Sequence, residues 1–272
     1  MADSAKRVLF VNSEIFPYLP ESEIANIGRF LPQGIQERKW EIRSFMPRYG
    51  CINERKNQLH EVIRLSGMNI IISDVDRPLV IKVASISAAR IQVYFIDNDD
   101  YFKRKQTFCD EHGTFFEDND ERAIFFARGV LETVKKLRWA PDIIHCQGWI
   151  SHILPLYLKK AYKEDPIFSN SKVVLSLFND CEGRKFSDKF ADKLAFGNVK
   201  AEDAPFLKDA SGINLAKTAI QYSDAVILGS EGIDKMLVAY CNERELPVLP
   251  FNEASLKDGS YIDEYNSFYG QL

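Results

Sequence analysis

The first apolar positions form an unbroken run, Val8, Leu9, Phe10 and Val11, and the next recur at helical spacing, Ile24, Ile27, Leu31 and Ile35. The run is too short for a helix and β-branched at both ends, so it predicts a strand buried on both faces. Pro17, Pro20 and acidic residues fill the loop between them. Strand, loop and helix in this order open a doubly wound α/β fold, in which ligands lie beyond the carboxyl ends of the strands. Residues 12–24 are therefore expected to face any active site.

The alternation continues. Residues 40–46 read as the second strand, closed by Pro47 and Gly50, and the polar residues 51–60 as an exposed loop with a short helix. Two apolar runs, 68–72 and 79–86, flank DVDRP, where Asp74, Asp76 and Pro78 predict a hairpin turn. Residues 91–96 form a further strand, and 103–117 a long surface loop. DNDERAIFFARGVLETVKKLR has helix grammar. Asp118 or Asn119 can cap it, Ile124, Ala127, Leu131, Val134 and Leu137 share one face, and basic residues close it. Strands at 141–146, 172–177 and in AVILGS, with helices at 149–162 (interrupted by Pro155) and 213–222, complete a mainly parallel sheet. Residues 179–210 read as loop-rich. The expected organisation is a domain over 1–250 and a carboxyl-terminal tail over 251–272. In the tail Tyr261, Ile262, Tyr265, Phe268 and Tyr269 line one helix face, with Asp258 or Ser260 as cap. That stripe either covers apolar surface of its own domain or offers an aromatic platform.

Composition narrows the function classes. The chain is 46% apolar and 27% charged, with a net charge of −4. No long run of like charge points to nucleic acid, and no apolar stretch suits a membrane span or signal peptide, so a cytoplasmic protein is expected. The five cysteines (51, 109, 146, 181 and 241) are scattered, and Cys146 has no neighbouring base to activate it. The four histidines include no H-E-x-x-H pair. Asp97, Asp99 and Asp100 cluster around Asn98, either as a metal site or, on the more ordinary reading, as turn and cap chemistry. Ser13 and Glu14 have no histidine nearby in sequence to activate a nucleophile. Neither metal nor cofactor is predicted. The loop after the first strand has no G-x-G-x-x-G and no phosphate-binding lysine, and its Glu14, Glu21 and Glu23 would repel a phosphate. It is an ordinary connector or a nucleotide loop that has lost its chemistry.

Several blocks resemble bacterial glycogen synthases and plant starch synthases. SEIFPYLPESEIANIGRFLP followed by WEIRSFMPRYG is similar to that family's SEIAPYAKTGGLGDVVGALP and HEVRVVMPRYG. Ser13, Glu14, Ile15, Pro17, Tyr18, Leu31, Pro32 and residues 46–50 agree. VYFIDNDDYF, DNDERAIFFARGVLE, PDIIHCQGWISHILPLYLKK and INLAKTAIQYSDAVILGSE resemble further family blocks in the same order. The resemblance spans roughly residues 6–232. It implies a Rossmann-like fold, the amino-terminal, acceptor-side half of a GT-B glucosyltransferase.

The departures fall on the family's site. Its Lys-Thr-Gly-Gly, which contacts the sugar nucleotide, corresponds to Pro20, Glu21, Ser22 and Glu23. Its His-Cys-His-Asp-Trp corresponds to His145, Cys146, Gln147, Gly148 and Trp149, so a histidine and an aspartate are replaced. Its Ile-His-Asn, whose histidine reaches the transferred sugar, corresponds to Leu177, Phe178 and Asn179. Phenylalanine cannot donate the hydrogen bond that transition-state stabilisation would use. No catalytic residue is assigned. His145, Trp149 and Asn179 are the candidates for contact with a glucan. His145 is alternatively a satisfied core residue, and Trp149 a packing residue. The chain ends soon after the AVILGS strand, so the second Rossmann half of about 150 residues is expected to be missing. What the resemblance then implies is a non-catalytic relative that binds an α-glucan or a glycogen-metabolism partner. The alternative is an ADP-glucose-dependent α-1,4-glucan glucosyltransferase completed by a second chain.

Overall fold

The computed structural model describes residues 5–180 and 183–272; Cys181, one of the five cysteines, lies outside them. The leading apolar run is the core of β1 (Arg7–Asn12), and Val8, Leu9, Phe10 and Val11 are fully buried. Chain order continues with α1 (Glu23–Glu37), β2 (Glu41–Pro47), β3 (His60–Glu61), β4 (Met68–Ile72), β5 (Val75–Ile86) and β6 (Ile91–Asp97). Then come α2 (Asp99–Phe102), α3 (Asn119–Leu137), β7 (Ile143–Gln147), α4 (Leu154–Lys160), β8 (Lys172–Leu177), α5 (Phe190–Lys193), α6 (Gly212–Gln221) and β9 (Ala225–Leu228). The chain closes with α7 (Lys235–Glu243), β10 (Val248–Leu249), α8 (Glu253–Asp258) and α9 (Tyr261–Gly270).

Nine strands run side by side in the order β10-β9-β8-β7-β1-β2-β6-β5-β3, and β4 pairs with β5. Pairing is parallel from β10 to β6 and antiparallel around β5. The sheet is thus Rossmann-like, with an antiparallel addition at one edge. The strand order reverses at β1, which lies between β2 and β7, so the carboxyl ends of β1 and β7 form the switch point where such folds bind ligands.

The central strands divide their side chains between two apolar layers. Leu9, Val11, Ile144, Cys146 and Leu175 face α3, α4 and α6. Val8, Phe10, Ile143, Val174 and Ile227 face Ile24, Ile27, Leu31 and Ile35 of α1 and Tyr261, Tyr265, Phe268 and Tyr269 of α9. The tail's aromatic stripe is therefore part of the second layer. Ser260 begins α9 without a side-chain cap bond, while the Asp258 carboxylate accepts the Ser260 N–H at 2.8 Å.

Local departures from the sequence pattern have simple causes. The hairpin turns at Ser73 and Asp74, both with positive φ, and Asp76 and Pro78 already belong to β5. Pro78 is tolerated because it lies where β5 pairs with β4 alone. Residues 51–59 contain turns and no helix. Pro155 sits in the first turn of α4 after a 3-10 turn at Trp149–Ser151, so it begins a helix instead of interrupting one. The acidic cluster is turn and cap chemistry. Asn98 caps α2, and Asp97 pairs with Arg48 at 2.9 Å and Lys82 at 3.0 Å. Among the described residues, no three His, Cys, Asp or Glu side chains are placed to share a metal ion, and no helix is long and apolar enough to cross a membrane.

Candidate functional site

The loops after β1, β7 and β8 converge at the switch point. Ser13, one residue beyond β1, donates its backbone N–H to the Gln147 carbonyl at 2.9 Å, which joins the first two loops. Gly148 follows with φ +81°, a conformation that disfavours any residue with a Cβ. Such a Cβ would also collide with Ser13 Oγ. An aspartate, as in the family pattern, cannot occupy this position in this backbone. The vacated space holds a different carboxylate. Asp180 Oδ2 lies 3.1 Å from where the Cβ of residue 148 would project and accepts the Trp149 N–H at 2.7 Å. Burial pushes the Asp180 carboxyl up to about 7.

The loop from β1 to α1 is also built by carboxylates. The Ser22 hydroxyl donates to Glu14 at 2.8 Å, and its oxygen accepts the Ala25 N–H at 3.0 Å, capping α1. Ser230, beyond β9, donates to Glu23 at 2.6 Å. Pro20 and Glu21 are exposed. Two of the four positions that replace Lys-Thr-Gly-Gly thus hold the loop in place. Burial raises the Glu14 pKa, and the hydrogen bond from Ser22 opposes that shift.

These loops open into a cleft of about 1070 Å³ between α1, the ends of β8 and β9, and α8–α9. Phe178, 7% exposed, lies among its lining residues and packs against Gly229. Asn179 also lines the cleft, with its side-chain amide donating to the Glu231 carbonyl at 2.8 Å. Glu14, Glu23, Asp180, Glu231, Glu253 and Asp258 supply carboxylates to the walls, against Lys257. Asp180, Glu231 and Glu253 were not singled out by the sequence patterns. They are far apart in the chain and converge only through the sheet order and the α8 turn.

His145 and Trp149 are core residues, not cleft residues. His145 is fully buried on the α1–α9 face, with Nε2 2.7 Å from Ser176 Oγ and Nδ1 2.6 Å from the Tyr269 hydroxyl. Trp149 is fully buried among Phe108, Phe115 and Phe186, with ring centroids 5.3–5.4 Å away. Neither presents a surface to a glucan, because β7 directs His145 under α9 and the 103–117 loop closes over Trp149. Gln147 is also fully buried, with its amide nitrogen 3.5 Å from His145 Nδ1. Cys146 is buried and its thiol pKa is pushed up by desolvation, so it is a poor nucleophile.

Burial holds His145 and His152 down to about 3. Below about 6.5, the ordinary histidine value, the unfolded chain takes up protons that these folded rings do not. Each histidine therefore removes stability as pH falls from about 6.5 towards 3, by up to about 1.4 kcal/mol per pH unit. Asp180 acts in the opposite sense, since its folded pKa is raised and it favours the folded state as pH falls below about 7. Imidazole resonances of His145 and His152 should stay constant in NMR spectra between pH 8 and 5 at about 25 °C. A titration midpoint above 5 for either ring would contradict the closed packing described here.

Comparison with known proteins places these features. The starch synthase catalytic domain family matches residues 7–245. A glycogen synthase of Chlorobium limicola is 42% identical over 225 residues, covering 82% of this chain and 45% of that protein. A glycogen synthase of Chlorobaculum parvum is 34% identical over 241 residues, 88% of this chain and 49% of that protein. The chain thus spans about half the length of these curated relatives. The catalytic domain of starch synthase IV from Arabidopsis thaliana, solved with ADP and acarbose, superposes with a TM-score of 0.70 at 16% identity. That match covers 91% of this chain and 52% of that one, and it shares the fold.

Proposed function

The chain belongs to the glycogen and starch synthase family, and from that premise we propose that it is non-catalytic on its own and binds an α-glucan or a glycogen-metabolism partner through the cleft. One observation carries this reading. Where family members offer Lys-Thr-Gly-Gly to the sugar nucleotide, this chain has Pro20, Glu21, Ser22 and Glu23, and Glu14 and Glu23 line the cleft. Carboxylates in this loop repel a diphosphate, and no glycine-rich backbone compensates. Phe178 stands where the family's sugar-reaching histidine would be, so a hydrogen bond that could strengthen in the transition state is missing. A neutral glucan carries no charge to be repelled.

Calorimetry tests the proposal. Titration with ADP-glucose should release no binding heat, and titration with maltooligosaccharides should. Heat from ADP-glucose would contradict it and favour a glucosyltransferase completed by a second chain. Silence with both ligands would favour a partner protein or a scaffold without either. A loop variant, Pro20→Lys with Glu21→Thr, Ser22→Gly and Glu23→Gly, sharpens the test. It removes two carboxylates and adds one ammonium at the cleft mouth. It also removes the Ser22–Glu14 and Glu23–Ser230 hydrogen bonds, so its melting temperature should fall. The expected result is weak ADP affinity without glucosyl transfer. Transfer by this variant would show that the loop alone had silenced the site.

A further inference from the structure

The geometry points to the cleft as a docking groove for a basic amphipathic helix of a partner protein; this rests on the partner half of the proposal above. Two of its walls are helices. On α1, Glu23, Ile27 and Phe30 fall four and three positions apart and so share one face, and α8 opposes them with Glu253 and Leu256. Phe178 adds apolar surface to the lining. Phe30, 45% exposed, presents its ring to the cleft beside Ile24 and Ile27. A volume of about 1070 Å³ is at the upper end for a small-ligand site and suits several side chains of a helix laid in a groove.

Charge chooses among occupants. Glu23, Glu231, Glu253 and Asp258 line the cleft together with the apolar residues. Lys257, the basic residue among the described lining residues, pairs with Glu253 at 2.7 Å, so the uncompensated rim charge comes from Glu23, Glu231 and Asp258. Such a rim disfavours acidic segments and phosphates, while a helix carrying leucines on one face and lysines or arginines at its flanks satisfies both lining and rim. The groove also lies beyond the carboxyl ends of β8 and β9, so an occupant would sit directly over the switch-point loops.

Fluorescence anisotropy with the full chain tests this. The probe is a labelled Leu/Lys peptide of about 18 residues, five helical turns, with leucines on one face. Its controls are a scrambled peptide of the same composition and a Leu/Glu version. The amphipathic Leu/Lys peptide should bind at least about tenfold tighter than either control, with affinity falling as salt rises. Glu231→Lys with Glu253→Lys should weaken it by about tenfold or more, and Phe30→Ser severalfold. Both glutamates are exposed, so circular dichroism should show the fold retained. Glu61→Lys with Glu111→Lys, exposed acids outside the cleft, should leave binding unchanged. Equal binding of the scrambled peptide, or equal loss from the remote pair, would overturn the groove. Calorimetry with ADP-glucose and maltooligosaccharides reads the earlier proposal separately, so either can fail alone.

Discussion

Truncation after Phe251 should unfold the chain or lower its melting temperature by about 10 °C or more. The segment removed carries Tyr261, Tyr265, Phe268 and Tyr269, all at least nine-tenths buried against the second apolar layer. Burial of such a side chain contributes roughly 1.5–3 kcal/mol, and ordering the tail offsets part of the sum. The truncation also uncovers Val8, Phe10, Ile143 and Val174 and deprives His145 of its Tyr269 hydroxyl. Domains are usually stable by only about 5–15 kcal/mol, so a net loss of a few is decisive. Tyr269→Phe isolates one part of this effect. It leaves the ring and removes the hydroxyl, and should cost about 1–3 kcal/mol. Differential scanning fluorimetry and light scattering read both variants. An unchanged melting temperature after truncation, with glucan or partner binding lost, would instead make the tail a recognition element.

Gly148→Asp, which restores the family's residue, should destabilise the protein by several kcal/mol and gain no activity. The left-handed backbone at this position costs a residue with a Cβ about 1–3 kcal/mol. The Cβ also meets Ser13 Oγ, and the new carboxylate would project towards Asp180. Gly148→Ala separates these causes, since it keeps the steric cost and omits the charge. Its melting temperature should fall below that of the parent but stay above that of Gly148→Asp. Adding Asp180→Asn to Gly148→Asp should recover the part due to like charge. A Gly148→Asp protein as stable as its parent would show that the loops after β1 and β7 separate easily, and the switch point would then be open, not sealed.

Most of the sheet was legible because buried parallel strands read as short apolar runs and each is followed by an amphipathic helix. β8 begins and ends where the sequence pattern predicts it. The stretch from Ile233 to Asp258 was not legible, although the aromatic stripe of α9 beyond it was. β10 has two residues, too few for a period, and α7 buries only Leu237 and Cys241. Asp234 and Asn252, which cap α7 and α8, were the available signals. At the site, the departures at residues 20–23, 148 and 178 were visible against the family pattern. The positions of the retained residues were not. His145 turns inward because Tyr269 meets it from 124 positions away. Trp149 is enclosed by phenylalanines from two other loops. Asp180 fills the space beside Gly148 from the loop after β8, a placement visible only once β7 and β8 lie side by side.

The central claim is that this cleft, as built, does not transfer glucose. Its most direct test is the incorporation of labelled glucose from ADP-glucose into glycogen by the purified chain. The account predicts incorporation no higher than a blank without protein. Turnover well above that blank, abolished by substitutions at Glu14 or Asp180, would contradict it.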